Sequence, residues 1–210
     1  MTKAEEKLCI QIARCQQRGV APCHKFNNPC NQLAEPWNGH LSKAKIMFIG
    51  PNPSIDCNEI FPVDKWSDDK IADFFDNRFN NGKKLTSNQR ASVRYWNSLI
   101  TYTNMINELK GNCYYKGRLA KATKNNGWDY SVLDPYVVCT EIVHCKSKNI
   151  QSLTTKCMQF CLMQWMPQIL SLFTGDLIVL VGKETHSFES QIQSMLNGRN
   201  VQIVLAPYPR

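Results

Sequence analysis

The chain has 210 residues, 43 % of them apolar and 20 % charged, which suits one sizeable domain with its own core and excludes a disordered or fibrous chain. No apolar run approaches the ~18 residues of a membrane span, and Met1–Lys7 carry no apolar signal core, so a cytoplasmic protein with no membrane contact is expected. The net charge is +8, and ten cysteines in that compartment read as ligands or buried thiols rather than disulfides.

In chain order, residues 4–18 read as an amphipathic helix with Leu8, Ile12 and Ala13 on one side. Residues 19–40 read as loop, broken by Gly19, Pro22, Pro29, Pro36 and Gly39. The run Lys45–Gly50 is short, apolar and followed by proline, the mark of a buried strand. Helices are expected over 67–79 and 89–109, and loop over 110–134. A second strand is expected over Tyr136–Val143, a helix over 154–173 despite Pro167, a third strand over Asp176–Gly182, a helix over Glu184–Leu196 and a fourth strand over Val201–Leu205. Strands alternating with helices predict an α/β fold: a four-stranded, mostly parallel sheet with helices on both faces, in one domain over 1–210. In such a sheet the ligand site lies beyond the carboxyl ends of the strands. Those ends are Gly50–Pro53, Thr140–Glu141, Gly182 and Ala206–Pro209.

Charge is concentrated between Asn77 and Lys124, where ten Lys and Arg residues face one acid, Glu108, for a local net of +9. Phe79, Tyr95, Trp96, Tyr114 and Tyr115 are interleaved. Such a segment suits a phosphate backbone; a solvated basic face is the alternative.

The cysteines supply a second constellation. Cys145 closes a predicted strand, and Cys161 follows on the next helix with fifteen residues between them. The N-terminal loop adds Cys15, Cys23 and Cys30. Buried thiols are the plain reading. Four thiolates from Cys15, Cys23, Cys145 and Cys161, with Cys30 as substitute for one of the first two, suit zinc or an iron–sulfur cluster, and spacing does not choose between them. Cys9, Cys57, Cys113, Cys139 and Cys157 are left as core or surface thiols.

These residues together resemble the uracil-DNA glycosylase superfamily, most closely its iron–sulfur branch. The run Ile46–Ser54, with Gly50-Pro51-Asn52-Pro53, looks like the first catalytic motif. Val138–Cys145 looks like the strand that ends in a cluster cysteine. The gaps from Cys145 to Cys161 and on to Gly182 fit that branch, and Leu205–Arg210 sits where the family has its His-Pro-Ser loop. The likeness covers about residues 5 to 210. It implies a three-layer α/β/α fold, a 4Fe–4S cluster (zinc as alternative) with the 4–40 segment packed on it, and a monomer that flips a nucleotide from double-stranded DNA and cuts its N-glycosidic bond.

Carried over residue by residue, the likeness makes Asn52 the group that orients water toward C1′, or else a residue that only shapes the turn before Pro53. Asp56 would assist it, and Gly50, Pro51 and Pro53 would frame the base. Phe61 would stack on that base, with a core ring as the competing reading. Ser54, Lys183 and Arg210 would touch DNA, and Tyr208 stands where the family keeps His. No lysine lies in the motif to form a Schiff base, so a monofunctional enzyme without strand cleavage is expected.

Glu141 departs furthest from the family, which keeps Asn there to read uracil. An ionised carboxylate only accepts hydrogen bonds and would face uracil O4. Cytosine offers an amino donor, and a protonated Glu141 could donate to N3 while accepting from N4. The expected target is therefore a modified cytosine, such as the glucosylated hydroxymethylcytosine of phage DNA that a prokaryotic antiphage branch of the superfamily removes. The alternatives are a one-residue slip in the match, or Glu141 bound to a lysine. In function, the alternatives are excision of uracil or another deaminated base, and an inactive nucleic-acid-binding iron–sulfur protein.

Overall fold

The structure, a computed structural model, describes residues 1–18, 20, 22–23, 30–78, 136–147 and 153–208. The helix expected over 89–109, the loop over 110–134, nearly all of the basic segment, and Arg210 lie outside them.

Helix α1 (Lys3–Ala13) starts at a capping box, with the Thr2 hydroxyl accepting the Glu5 N–H and the Glu5 carboxylate returning to the Thr2 N–H. Glu5 is fully buried, and its second oxygen accepts the Ser42 N–H at 2.8 Å, which ties α1 to the loop before the first long strand. The helix ends several residues short of the predicted 18, because the backbone turns at Arg14 to bring Cys15 inward. Helix α2 (Asp68–Asp76), capped by Ser67, packs against α1 through Ile71, Phe74 and Phe75.

The sheet has five strands: β1 (Trp37–Asn38), β2 (Ile46–Gly50), β3 (Val137–Glu141), β4 (Leu177–Val181) and β5 (Gln202–Ala206). Their order is β1-β3-β2-β4-β5. The four predicted strands are all parallel. The fifth, β1, pairs antiparallel with β3, Trp37 opposite Thr140 and Asn38 opposite Cys139. Two residues give no period to read, so this edge strand is invisible in sequence. Helix α3 (Thr155–Leu172) runs through Pro167 as expected. The helix predicted over 184–196 is two pieces, α4 (Lys183–His186) and α5 (Glu189–Met195). Phe188, between them, turns into the core.

Met47, Ile49, Val138, Ile178 and Leu180 face one core shared with α1, α2, α3 and α5. Ile46, Phe48, Val137, Leu177 and Val179, on the alternate positions, are buried too. Both faces of the sheet are therefore covered, as a parallel sheet requires. No described helix is long and apolar enough to cross a membrane.

Candidate functional site

Parallel strands place Gly50, Glu141, Val181 and Ala206 along one edge of the sheet. The loop after β2 stays on that edge because it continues the ladder. Ile142 N–H donates to Gly50 O, Val143 N–H to Pro51 O and Ser147 N–H to Pro53 O. A parallel bridge joins Ser54 to Ser147.

Asn52 is held by this ladder. Its Nδ2 donates to Ser147 Oγ at 2.7 Å and to Pro53 O at 3.1 Å. Both amide hydrogens are thereby committed, which turns Oδ1 to the opposite side as an acceptor fixed in place. Ser147, which sets this orientation, has no motif of its own and was missed in sequence. Ser54 is exposed beside it. Asp56, half-buried in the following turn, accepts the Asn58 N–H through Oδ1 at 2.9 Å.

Glu141 lies opposite Gly50 in the β2–β3 register. Its carboxyl folds across that glycine, and a methyl group built on Gly50 would stand 2.1 Å from Oε2. Only glycine leaves room there, which gives Gly50 a steric role. Oε2 is sealed from solvent and has no hydrogen-bond partner among the described residues. Burial first, and then the Glu35 carboxylate, push the Glu141 carboxyl well above the ordinary range, so the neutral acid is favoured. Among the described residues no lysine pairs with it; the buried Lys146 is committed to Glu59 at 3.0 Å and Glu35 at 3.4 Å.

Tyr208 closes the far side and is 46 % exposed. Gly182, at φ +92°, lies under it, and a methyl group there would stand 3.2 Å from the Tyr208 ring and 3.4 Å from Glu184 Oε2. Burial, with the Glu141 and Glu184 carboxyls, pushes the phenol up to about 12, so it remains an O–H donor. His186 locks this corner, its Nε2–H donating to Leu180 O at 3.1 Å and Ala206 O at 2.9 Å. Lys183 is exposed at the start of α4. Glu184 and His186 were missed, since neither stands in a motif.

Phe61 is not presented as a stacking platform. It is 4 % exposed, meets Phe74 and Phe75 edge-to-face, and carries Lys146 Nζ 3.6 Å above its ring. The core reading is the one observed. Around it lies a buried ion network absent from the sequence reading: Lys146 with Glu35 and Glu59, and Arg78 with Glu59. Although burial works against its charge, Lys146 and Arg78 hold the Glu35 carboxyl below the ordinary range.

The sulfur constellation gathers five thiols. Cys23 and Cys157 are 3.6 Å apart, and Cys23 also hydrogen-bonds Cys145. Cys15 and Cys161 lie within electrostatic reach of the same group. Bonding to Cys23, then burial, pushes the Cys145 and Cys157 thiols up. Burial pushes Cys161 up to about 12 and raises Cys15 as well. Backbone N–H groups of Gln17 and Arg18 and the Trp165 indole point at Cys15, and the His144 backbone N–H at Cys161. Such donors stabilise thiolates. Cys157, set aside in sequence, belongs to this group because it precedes Cys161 by one helical turn. Cys30 is corrected in the other direction: it forms a disulfide with Cys57 across a Cα separation of 5.2 Å and cannot substitute as a ligand in this state. Among the described residues, no group of three or more Cys, His, Asp or Glu side chains stands ready to hold a metal ion. The all-sulfur donors and the N–H groups aimed at them fit an iron–sulfur or zinc centre in chemical type.

Two grooves lie against α3, one beside Phe160 and Met163, the other between α1 and α3 beside Cys15. Neither includes a residue of the strand-end site. Compared with known proteins, the chain matches no family model and no curated relative.

Proposed function

We propose that this protein is a monofunctional DNA glycosylase of the uracil-DNA glycosylase type, built as a three-layer α/β/α domain, that flips and excises a modified cytosine. The observation that carries the reading is Glu141: a buried carboxyl, unpartnered at Oε2, lying over Gly50 on the edge that also holds Asn52, where burial and Glu35 favour its neutral form. A neutral acid donates through O–H and accepts through C=O. That pair complements N3 and the N4 amino group of cytosine; with the proton on the other oxygen it also meets N3–H and O4 of uracil, whereas an ionised carboxylate would leave uracil O4 mispaired at a cost of about 1–3 kcal/mol.

In this reading Asn52 Oδ1 orients the attacking water, because Ser147 and Pro53 fix the amide. The C1′–N1 bond breaks, its electron pair leaves with the base, and water supplies hydroxyl to C1′ and a proton to the released base. Tyr208, kept as a hydroxyl, donates to base O2 and offsets the developing negative charge. A carboxamide is a weak base, so turnover is modest. Cys15, Cys23, Cys145 and Cys161 would hold a 4Fe–4S cluster, or zinc; that centre would supply a structural clamp between the N-terminal segment and α3. The partner is double-stranded DNA, phage DNA with glucosylated hydroxymethylcytosine being the candidate substrate, and the Asn77–Lys124 segment supplies charge for its backbone.

The test is incubation with duplexes that carry glucosylated hydroxymethylcytosine, hydroxymethylcytosine, cytosine or uracil, followed by alkali. Alkali-labile sites at modified cytosine support the reading. Lability at uracil alone, or at none of the four, overturns it.

A further inference from the structure

Glu141 has a buried neighbour whose charge the base-reading scheme has not used. Glu35 precedes β1, and its backbone is fixed to the segment after β3: Glu35 N–H donates to His144 O at 2.9 Å, and His144 Nδ1–H donates to Glu35 O at 2.9 Å. Its side chain is equally constrained. Asn38, which faces Cys139 in the ladder, donates Nδ2 to Glu35 Oε1 at 2.8 Å. Lys146 Nζ stands 3.4 Å from Oε2. Cys139 and Glu141 share one face of β3, two residues apart. The buried carboxylate of Glu35 is thus seated on the strand that presents Glu141.

Among the described residues, the charges in this interior balance without Glu141. Two carboxylates, Glu35 and Glu59, meet two cations, Lys146 and Arg78. An ionised Glu141 would add an uncompensated negative charge in a poorly solvated place. Among the described residues, the other titratable groups facing it add no cation: Cys139 on its own strand has a thiol held neutral by burial, and Tyr208 after β5, with Glu184 behind it, is a neutral phenol beside a further acid.

We propose that Glu35 is a positioning residue for base reading: held beside β3 by Asn38 as an anion matched to Lys146, it obliges Glu141 to meet the base carrying its proton. The inference rests on the glycosylase reading above and deepens it. Hydrogen bonding to the base then depends on two carboxyls, one that touches the base and one that sets the protonation of the first. Burial and the Glu35 charge both act on Glu141 in this direction.

Two readouts test it on the full-length protein. The first uses no substrate: the infrared band of the protonated carboxyl, identified as the band lost in E141Q, is followed against pH. In E35Q the neutral network becomes net positive, so this band should disappear at lower pH than in wild type, and E35D should restore the wild-type titration. The second is single-turnover excision of glucosylated hydroxymethylcytosine. Its alkaline limb should move down in E35Q, with about a tenfold loss of rate for each pH unit above the new limb and an unchanged rate below it. Should E35Q fail to fold, K146Q is read instead: it leaves the Glu35 charge uncompensated and should move the titration up. A band that titrates in E35Q, or in K146Q, where it does in wild type overturns the proposal. A wild-type protein that excises no base overturns the reading of the site, and the infrared titration still decides whether Glu35 controls Glu141.

Discussion

Replacing Glu141 by Gln should make the protein more stable, by an amount that grows with pH. The ordinary carboxyl value is 4.5 and the folded value lies well above it. Between the two, the folded protein keeps a proton that the unfolded chain has released. Stability from this group is therefore fully present below the ordinary value and is lost as pH rises through the folded one, at about 1.4 kcal/mol per pH unit. Gln keeps the size of Glu and does not ionise. Glu35 contributes the opposite slope, present above its ordinary value and lost on acidification, but it is common to both proteins and cancels in the difference. From about pH 5 to 7 the gap between E141Q and wild type should widen by up to ~2.7 kcal/mol. With a denaturation slope of about 2–3 kcal/mol per M urea, the two midpoints should separate by about 1 M over that range. Urea titrations monitored by circular dichroism at several pH values read this directly. Midpoints that keep a constant separation would show that Glu141 ionises in the fold as it does in the open chain, and would remove the protonated acid from the scheme.

Gly50→Ala forces Glu141 to move, because the new methyl group would lie 2.1 Å from Oε2; a destabilisation of about 1–3 kcal/mol is expected together with loss of base selectivity, and full selectivity in the excision assay would deny the carboxyl its place over Gly50. Asn52→Ala should lower excision by about 10²-fold or more and leave the visible absorbance of the purified protein unchanged; near-normal turnover would strip Asn52 of its role. Cys145→Ala should abolish bound iron and sulfide, whereas Cys157→Ala should retain both; iron lost in both variants would make Cys157 a ligand as well, and zinc in place of iron in wild type would change the centre.

The parallel sheet was legible because four short apolar runs, each closed by glycine, proline or a polar residue, alternate with helical spacing. The two-residue β1 was not, since pairing with β3 rather than any local pattern makes it a strand. The placement of Asn52, Glu141 and Tyr208 on one edge followed from the alternation of strands and helices, which implies a parallel sheet whose strand ends share one edge. What sequence could not supply was partnership. Phe61 and Phe74 are similar rings in sequence, and only packing shows that Phe61 lies under Lys146. Glu35, Glu59, Arg78 and Lys146 are scattered over more than a hundred residues, so their network has no linear signature. Cys30 and Cys157 exchanged expected roles for the same reason: a disulfide and a thiol contact are facts of proximity, with sequence separations of 27 and 134.

The most direct measurement is mass spectrometry of the bases released from a panel of modified DNAs by wild type and by Glu141→Asn. Release of a cytosine derivative by wild type, with uracil gained and the cytosine derivative lost in the variant, is the predicted result. The same base profile from both proteins would contradict the claim that the Glu141 carboxyl reads the base.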